Sequence, residues 1–177
     1  MKSVCVFCGG NPGARPSYKA MATTLGAELG KRGMGLVYGG ASVGLMGAVA
    51  DATLAAGGKV LGVIPRMLAD REIAHTGVTE LKVTGSMHER KAAMAEAAEG
   101  FIALPGGFGT LDELFEILTW AQLGIHHKPV VVLNWRGFYS PLLAFLARAQ
   151  GEGFVAALDQ RLLLVGDDAE SALALLH

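Results

Sequence analysis

The sequence predicts an α/β fold: a Rossmann-like, doubly wound and mainly parallel sheet with helices on both faces. Three observations carry this. Short apolar runs rich in Val, Ile and Leu alternate with longer segments of helical character, the pattern of repeated βαβ units. Several of the runs are apolar almost throughout, as expected of parallel strands covered on both faces. Glycine, 25 of 177 residues, is about twice its usual share. It clusters directly after three of the runs, at Gly9-Gly10, Gly39-Gly40 and Gly106-Gly107.

Taken in order, Ser3–Phe7 reads as a strand, Ser17–Lys31 as a helix and Gly35–Tyr38 as a strand. Leu45–Ala56 reads as a helix and Lys59–Ile64 as a strand. The stretch Pro65–Thr84 mixes proline, glycine and charge, and reads as a loop with one further strand at Glu80–Val83. Met87–Ala98 is a helix opened by Ser86-Met87-His88-Glu89, a capping-box spacing. Phe101–Leu104 is a strand. Leu111–Leu123 is a helix opened by the same spacing in Thr110-Leu111-Asp112-Glu113. The strand Val130–Leu133, the helix Ser140–Gln150, the strand Leu162–Val165 and the helix Ala169–Leu176 complete the alternation. No linker, repeat or low-complexity segment divides the chain, so residues 1–177 read as a single α/β domain. Ligands of an open parallel sheet bind at the carboxyl ends of its strands. The loops after Phe7, Tyr38, Ile64 and Leu104 are therefore expected to build the site.

Bulk properties narrow the function. Apolar residues make up 51% and charged residues 18%, a globular balance and not a disordered one. The formal net charge of −1, with no basic block, gives no reason to expect nucleic acid as a partner. No stretch approaches the roughly 20 apolar residues of a membrane span, and the first apolar run is too short for a signal-peptide core. No membrane partner is expected, and the cytoplasm is the expected location. Cys5 and Cys8 form a C-x-x-C, but within a strand-like run and not at a helix start, where a thiolate would be stabilised. Residues three apart on a strand face opposite ways, so both read as buried thiols.

The most informative stretch is Leu104-Pro105-Gly106-Gly107-Phe108-Gly109-Thr110-Leu111-Asp112-Glu113. It joins a strand to a helix through three glycines. Glycine permits positive φ and close approach of a ligand to the backbone. The unpaired N–H groups and the dipole of a helix start suit an anion. Gly106, Gly107, Gly109 and the Thr110 hydroxyl therefore read as a phosphate cradle. Glu113 follows on the expected first turn. Its plainest role is structural, closing a capping box on Thr110. Beside a bound phosphate, however, a carboxylate is unfavourable unless a cation offsets it or the acid has work to do. Met87-His88-Glu89-Arg90-Lys91 supplies cations at another helix start, where positive charge opposes the dipole. They make sense there if an anion is close.

Other motifs argue against alternatives. Gly39-Gly40-Ala41-Ser42-Val43-Gly44 is a second glycine-rich turn, serving either a nucleotide or tight strand–helix packing. It lacks the second glycine of G-x-G-x-x-G and the acidic residue that a dinucleotide fingerprint places about 20 residues on. No Gly-Lys-Ser/Thr follows either loop, which excludes a Walker A site. His126-His127 has no Cys or carboxylate at ligand spacing, His75 and His88 have no evident partner, and no metal site is expected.

The chain resembles the LONELY GUY family of cytokinin riboside 5′-monophosphate phosphoribohydrolases, many of which carry a lysine decarboxylase label. The resemblance rests on Phe7-Cys8-Gly9, on Gly39-Gly40 through Gly44-Leu45-Met46-Gly47, on Met87 to Lys91, on Pro105 to Glu113 and on Leu118 to Gly124. It covers nearly the whole chain. It implies hydrolysis of the N-glycosidic bond of adenosine-type nucleoside 5′-monophosphates, N6-substituted ones included, to free base and ribose 5-phosphate. It implies that Arg90 and Glu113 are the catalytic pair. It further implies substrate contacts by Glu72, Lys91, the stretch Gly107 to Glu113 and Thr119. No cofactor is implied, and a homodimer is expected. The chain departs from the family at Asp112-Glu113, where many members carry Glu-Glu, and at Gly9-Gly10-Asn11, where Gly-Ser-Ser is common.

Residue chemistry supports the same activity. Breaking an N-glycosidic bond builds positive charge on the ribose, as in glycoside hydrolysis. A carboxylate near C1′ can stabilise that charge, attack it or take a proton from water. One helical turn, about 5.4 Å, is close to the reach from a 5′-phosphate to the far side of the ribose. Two other readings stand beside it. One is a nucleotide-binding or carrier protein without turnover, in which Glu113 is a cap. The other is a pyridoxal phosphate decarboxylase, which needs a Schiff-base lysine; only Lys91 lies near the proposed site.

Overall fold

The structure, a computed structural model, describes residues 2–156 and 159–176, apart from the side chains of Glu72, Asp159 and Gln160. Seven strands form one sheet: β1 (Ser3–Phe7), β2 (Gly35–Tyr38), β3 (Val60–Pro65), β4 (Glu80–Thr84), β5 (Gly100–Ala103), β6 (Val130–Leu133) and β7 (Leu163–Gly166). Their order is β4-β3-β2-β1-β5-β6-β7, and every pairing is parallel. The fold is Rossmann-like and doubly wound. The chain reverses its direction of winding between β1 and β5, and this is where such sheets open a crevice.

The period of two divides the strands between two cores. Val4, Val6, Leu36, Tyr38, Ile102, Leu104, Val131 and Leu133 pack on one face. Against them lie α1 (Pro16–Lys31), α2 (Gly44–Ala55) and α7 (Ala169–Ala174) through Leu25, Leu29, Leu45, Val49 and Leu173. Cys5, Phe7, Val37, Val63, Phe101, Ala103, Val130 and Val132 pack on the other face. There they meet α4 (Met87–Ala97) and α5 (Phe108–Gln122) through Met94, Leu114 and Ile117, with α6 (Ser140–Gly151) adding Leu142 and Leu143. Cys5 and Cys8 thus sit in opposite cores as free thiols. Burial raises both thiol pKa values, and the Glu113 charge adds to the effect.

Helix α1 opens with Pro16 in its first turn, a position with no N–H to lose. Its glycines let α2 approach closely: a methyl at Gly30 would lie 2.5 Å from Ala56 Cβ. Between β3 and β4 the chain makes one helical turn, α3 (Arg66–Leu68), which runs into a π-helical turn at Ala69–Ile73. The expected loop there is therefore an ordered strap. Glu80–Thr84 forms the edge strand β4, one residue longer than expected. Ser86 caps α4 by accepting from the Glu89 N–H at 3.1 Å. The Glu89 carboxylate reaches the Gly85 N–H at 2.7 Å, one residue before the position a capping box uses.

Helix α5 differs from expectation at its start. It begins at Phe108, with Gly107 as N-cap and no side-chain cap. The residues Gly107-Phe108-Gly109 look like turn, yet all three fit a helix entry. Thr110 is therefore inside the helix, and the expected capping box with Glu113 does not form. Glu113 stands in the second turn, roughly 7 Å along the axis from Phe108, and its burial is not that of a cap.

Among the described residues no helix is long and apolar enough to cross a membrane, and no three His, Cys, Asp or Glu side chains converge as a metal set.

Candidate active site

A cavity of about 430 Å³ opens at the switch point. Its walls come from the loops after β1, β2 and β5 and from the first turns of α4 and α5. Of the residues singled out in the sequence, Arg90, Gly106, Gly107, Gly109, Thr110 and Glu113 all line it. Met46, part of the Gly44-Leu45-Met46-Gly47 run, also lines it, as do Tyr18 and Phe138, which nothing in the sequence patterning marked. Tyr18 and Phe138 meet edge to face, 6.0 Å between ring centres.

Arg90 and Glu113 face each other at the floor. Arg90 is 7% exposed and Glu113 8%, and Arg90 Nη2 lies 3.5 Å from Glu113 Oε1. A buried guanidinium needs acceptors for its donors. Arg90 Nε donates to the Val63 carbonyl at 3.1 Å, and Nη2 donates to the Gly39 carbonyl at 3.3 Å. These bonds tie the side chain to β3 and to the loop after β2. Burial pushes the Glu113 carboxyl up to about 7, the Arg90 charge opposes that rise, and the neighbouring Asp112 and Glu116 charges add to it. A carboxyl that exchanges its proton near neutral pH, held against a fixed cation, is suited to proton transfer.

The glycine-rich loop lies beside this pair. The N–H groups of the first turn of α5 have no intrahelical acceptor, and no side chain caps them. None of Gly106, Gly107 and Gly109 adopts positive φ, so their use here is space and not handedness. A Cβ at Gly106 would run into Thr110 Oγ1, which packs beneath it. A Cβ at Gly107 or Gly109 would meet nothing within 4 Å. The fold itself does not ask for glycine at these two positions, and they keep the helix start bare. The Tyr139 hydroxyl donates to the Leu104 carbonyl at 2.6 Å, fixing the strand end from which the loop departs.

Lys91 and Thr119 sit apart from the cavity lining. Lys91 turns to the outer side of α5, where its ammonium pairs with Asp112 at 3.1 Å and Glu116 at 3.0 Å. Partial burial works against that charge, but the bonds to Glu116 and Asp112 prevail and raise its pKa. Thr119 donates to the Phe115 carbonyl at 2.7 Å. It lines a shallow hollow on the outer face of α5 with Phe108, Phe115 and Trp120. Glu72 belongs to the π-helical turn, and its side chain lies outside the described residues. His75, without an evident partner in the sequence, meets Asp51 at 2.9 Å. His126 Nε2 lies 3.0 Å from the Ile117 carbonyl.

A family profile described as "Possible lysine decarboxylase" matches residues 46–176. A probable cytokinin riboside 5′-monophosphate phosphoribohydrolase of Oryza sativa subsp. japonica is 50% identical over 176 residues, covering 99% of this chain and 72% of that protein. The chain belongs to this family. A cytokinin riboside 5′-monophosphate phosphoribohydrolase of Arabidopsis thaliana is 52% identical, covering 96% of this chain and 78% of that protein. The Rhodococcoides fascians member of the phosphoribohydrolase family is 49% identical, covering 98% and 88%. Among solved structures, the molybdenum cofactor carrier protein of Chlamydomonas reinhardtii superposes with a TM-score of 0.76 at 26% identity. That match covers 98% of this chain and 94% of the carrier.

Proposed function

We propose that this chain is a phosphoribohydrolase that cleaves the N-glycosidic bond of adenosine-type nucleoside 5′-monophosphates, including N6-substituted, cytokinin-type ones. The products are the free base and ribose 5-phosphate. The observation that carries this reading is the buried Arg90–Glu113 pair placed beside an uncapped, glycine-lined helix start in one crevice. The names of relatives at about half identity agree with it.

In this reading the phosphate rests on the N–H groups of the first turn of α5, between Gly106, Gly107, Gly109 and the Thr110 hydroxyl. The ribose then extends along α5 toward Glu113. As the bond from C1′ to the base nitrogen breaks, its electron pair leaves with the base. The Glu113 carboxylate faces the positive charge on the ring and takes a proton from the attacking water, and that proton ends on the departing base nitrogen, so the base leaves neutral. Arg90 holds Glu113 in place and offers its guanidinium to the sugar hydroxyls. Water and protein side chains suffice for the step, and no cofactor enters it. Lys91 supports the cradle from outside by neutralising Asp112 and Glu116. A decarboxylase reading has no support in the cavity, because no lysine lines it among the described residues. A carrier reading, suggested by the structural neighbour, leaves the raised Glu113 carboxyl without a task. Incubating purified protein with AMP and with isopentenyladenosine monophosphate separates the readings. Mass spectrometry detects adenine or isopentenyladenine if the proposal is right, and only intact nucleotide if the carrier reading is.

We further place the protein in the cytoplasm as one domain and as a homodimer. The dimer is supported by the outer face of α5 and its surroundings, where Phe108 is 95% exposed and Leu123 68%. Thr119 stands on that face and outside its own cavity, so a substrate contact by Thr119 is made to a ligand held by the second copy. Sedimentation at micromolar concentration is expected to give a dimer, and Thr119→Asp to give a monomer.

Gly39→Ala tests the seating of Arg90. Gly39 has ordinary φ, so the backbone accepts alanine. The new methyl would collide with Arg90 Nη2 and lie 2.9 Å from Met46 Sδ. The expected outcome is a folded protein with a lowered melting temperature and a displaced guanidinium. Its kcat should fall roughly 100-fold, the scale of a misplacement near 1 Å.

A further inference from the structure

The strap between β3 and β4, Arg66 to His75, is bonded to the Gly39–Ser42 loop through its last three residues, Ile73 to His75. The Ser42 N–H donates to the Ile73 carbonyl at 2.8 Å, and the His75 N–H donates to the Gly40 carbonyl at 2.8 Å. Ser42 Oγ donates to the same Ile73 carbonyl at 3.3 Å, and Ala41 pairs with Ala74 as an isolated antiparallel bridge. The carbonyl gripped by His75 belongs to Gly40, the residue after the one whose carbonyl holds Arg90. Gly40 itself has φ +78°, a conformation favourable only to glycine. The orientation of the Gly39 carbonyl is thus set by a tight turn clamped from outside.

The His75 ring anchors that clamp to α2. Its Nδ1 accepts from the Gly77 N–H at 3.2 Å, so the ring proton sits on Nε2. Nε2 therefore donates to Asp51 Oδ1 at 2.9 Å. The side chain of His75 is 13% exposed and that of Asp51 71%. A pair whose carboxylate stands this far into solvent adds little to stability by its charge, which leaves its placement to be accounted for.

The geometry points to His75 and Asp51 as positioning residues for Arg90: they hold the strap that bonds the Gly40 carbonyl and the Ser42 N–H, and so fix the turn whose Gly39 carbonyl seats the guanidinium opposite Glu113. This rests on the proposed reading of Arg90 and Glu113. The two ends of the chain of contacts lie in different elements, and neither His75 nor Asp51 lines the cavity. Releasing the clamp lets the Gly39 carbonyl turn and Arg90 loosen. Weakening Arg90 removes the main influence that lowers the Glu113 pKa. The other groups that face Glu113 stay in place: Lys91 from α4, Asp112 and Glu116 from α5, and the neutral Cys5 and Cys8 thiols from the region of β1.

The test uses His75→Ala, Asp51→Ala, the double variant and Asp51→Asn, with Gly39→Ala as reference. Three quantities are read: kcat and KM for AMP, and the Glu113 carboxyl midpoint by carbon-13 NMR, assigned with Glu113→Gln. Each alanine variant is expected to lose roughly tenfold in kcat with little change in KM, a fraction of the penalty for a misplaced group. The double variant should be no worse than the single ones, since they break one connection. The Glu113 midpoint should rise by roughly half a unit to one unit, as in Gly39→Ala. Asp51→Asn, which keeps an acceptor for Nε2–H, should restore both readouts. An unmoved Glu113 midpoint in the alanine variants overturns the proposal. So does a loss of kcat that follows melting temperature alone, or a failure of Asp51→Asn to restore. If the wild-type protein releases no adenine while the midpoint still rises in the variants, the positioning stands and the hydrolase reading falls.

Discussion

Glu113→Gln is expected to abolish hydrolysis and, at the same time, to stabilise the protein at alkaline pH. Glutamine matches the shape of the protonated carboxyl but can neither accept a proton nor carry negative charge. Loss of a general base alone lowers turnover by about 10²–10⁴-fold, and loss of charge facing the ribose adds to this. Stability moves the other way. The Glu113 carboxyl is raised from 4.5 to about 7 by burial. Between those values the folded state holds a proton that the unfolded state has released, so stability falls as pH rises through that window. Above it the wild-type protein carries a buried charge at its full cost, which glutamine removes. The variant should therefore be more stable at pH 8 by up to about 3 kcal/mol, with the difference vanishing near pH 4. Asp112→Asn is the control, since Asp112 is an exposed partner of Lys91 and should change activity little. Retained turnover in Glu113→Gln, or loss explained by unfolding, would refute the catalytic reading.

Adenosine is expected to be a far poorer substrate than AMP, by more than any change of the N6 substituent. In the proposed mode of binding the phosphate contacts lie about a turn or more from C1′, and their binding energy would serve to hold the ribose against Glu113. Gly107→Ala gives the complementary result. A methyl at Gly107 meets no protein atom within 4 Å, so the fold and its melting temperature should be preserved. The same methyl projects where the phosphate is placed, and kcat/KM for AMP should fall while any residual adenosine cleavage is unaffected. Equal cleavage of AMP and adenosine by the wild-type protein would remove the cradle from the account.

The fold was legible because the central strands are covered on both faces, while only the edge strands β4 and β7 lie partly open. Val4 and Val6 enter one core, Cys5 and Phe7 the other, and such runs have no polar side from which to mistake them. Helix α5 was misread at its start because Gly107 and Gly109 are poor helix formers and no capping side chain announces the first turn. With Thr110 taken as the cap, Glu113 looked structural; with the helix begun at Phe108 it is a buried second-turn carboxylate. The charge of Lys91 was visible, but not that Asp112 and Glu116 take it. The acceptors that seat Arg90 are main-chain carbonyls of Val63 and Gly39, which any residue presents and no motif marks. Asp51 and His75 lie 24 residues apart on separate elements, beyond the reach of a periodicity.

The central place of β1 has a consequence for biosynthesis. Its residues pair on one side with Gly35–Tyr38 and on the other with Gly100–Ala103. During synthesis, β1 through β4 can assemble from the first half of the chain, because β1–β2 and the right-handed crossovers are sequential. Until β5 leaves the ribosome, one side of β1 remains an open sheet edge in the middle of the future protein, the kind of edge that recruits foreign strands. Arg90 precedes β5 in the chain and Glu113 follows it. The pair can therefore form only once the strand that covers this edge has been made.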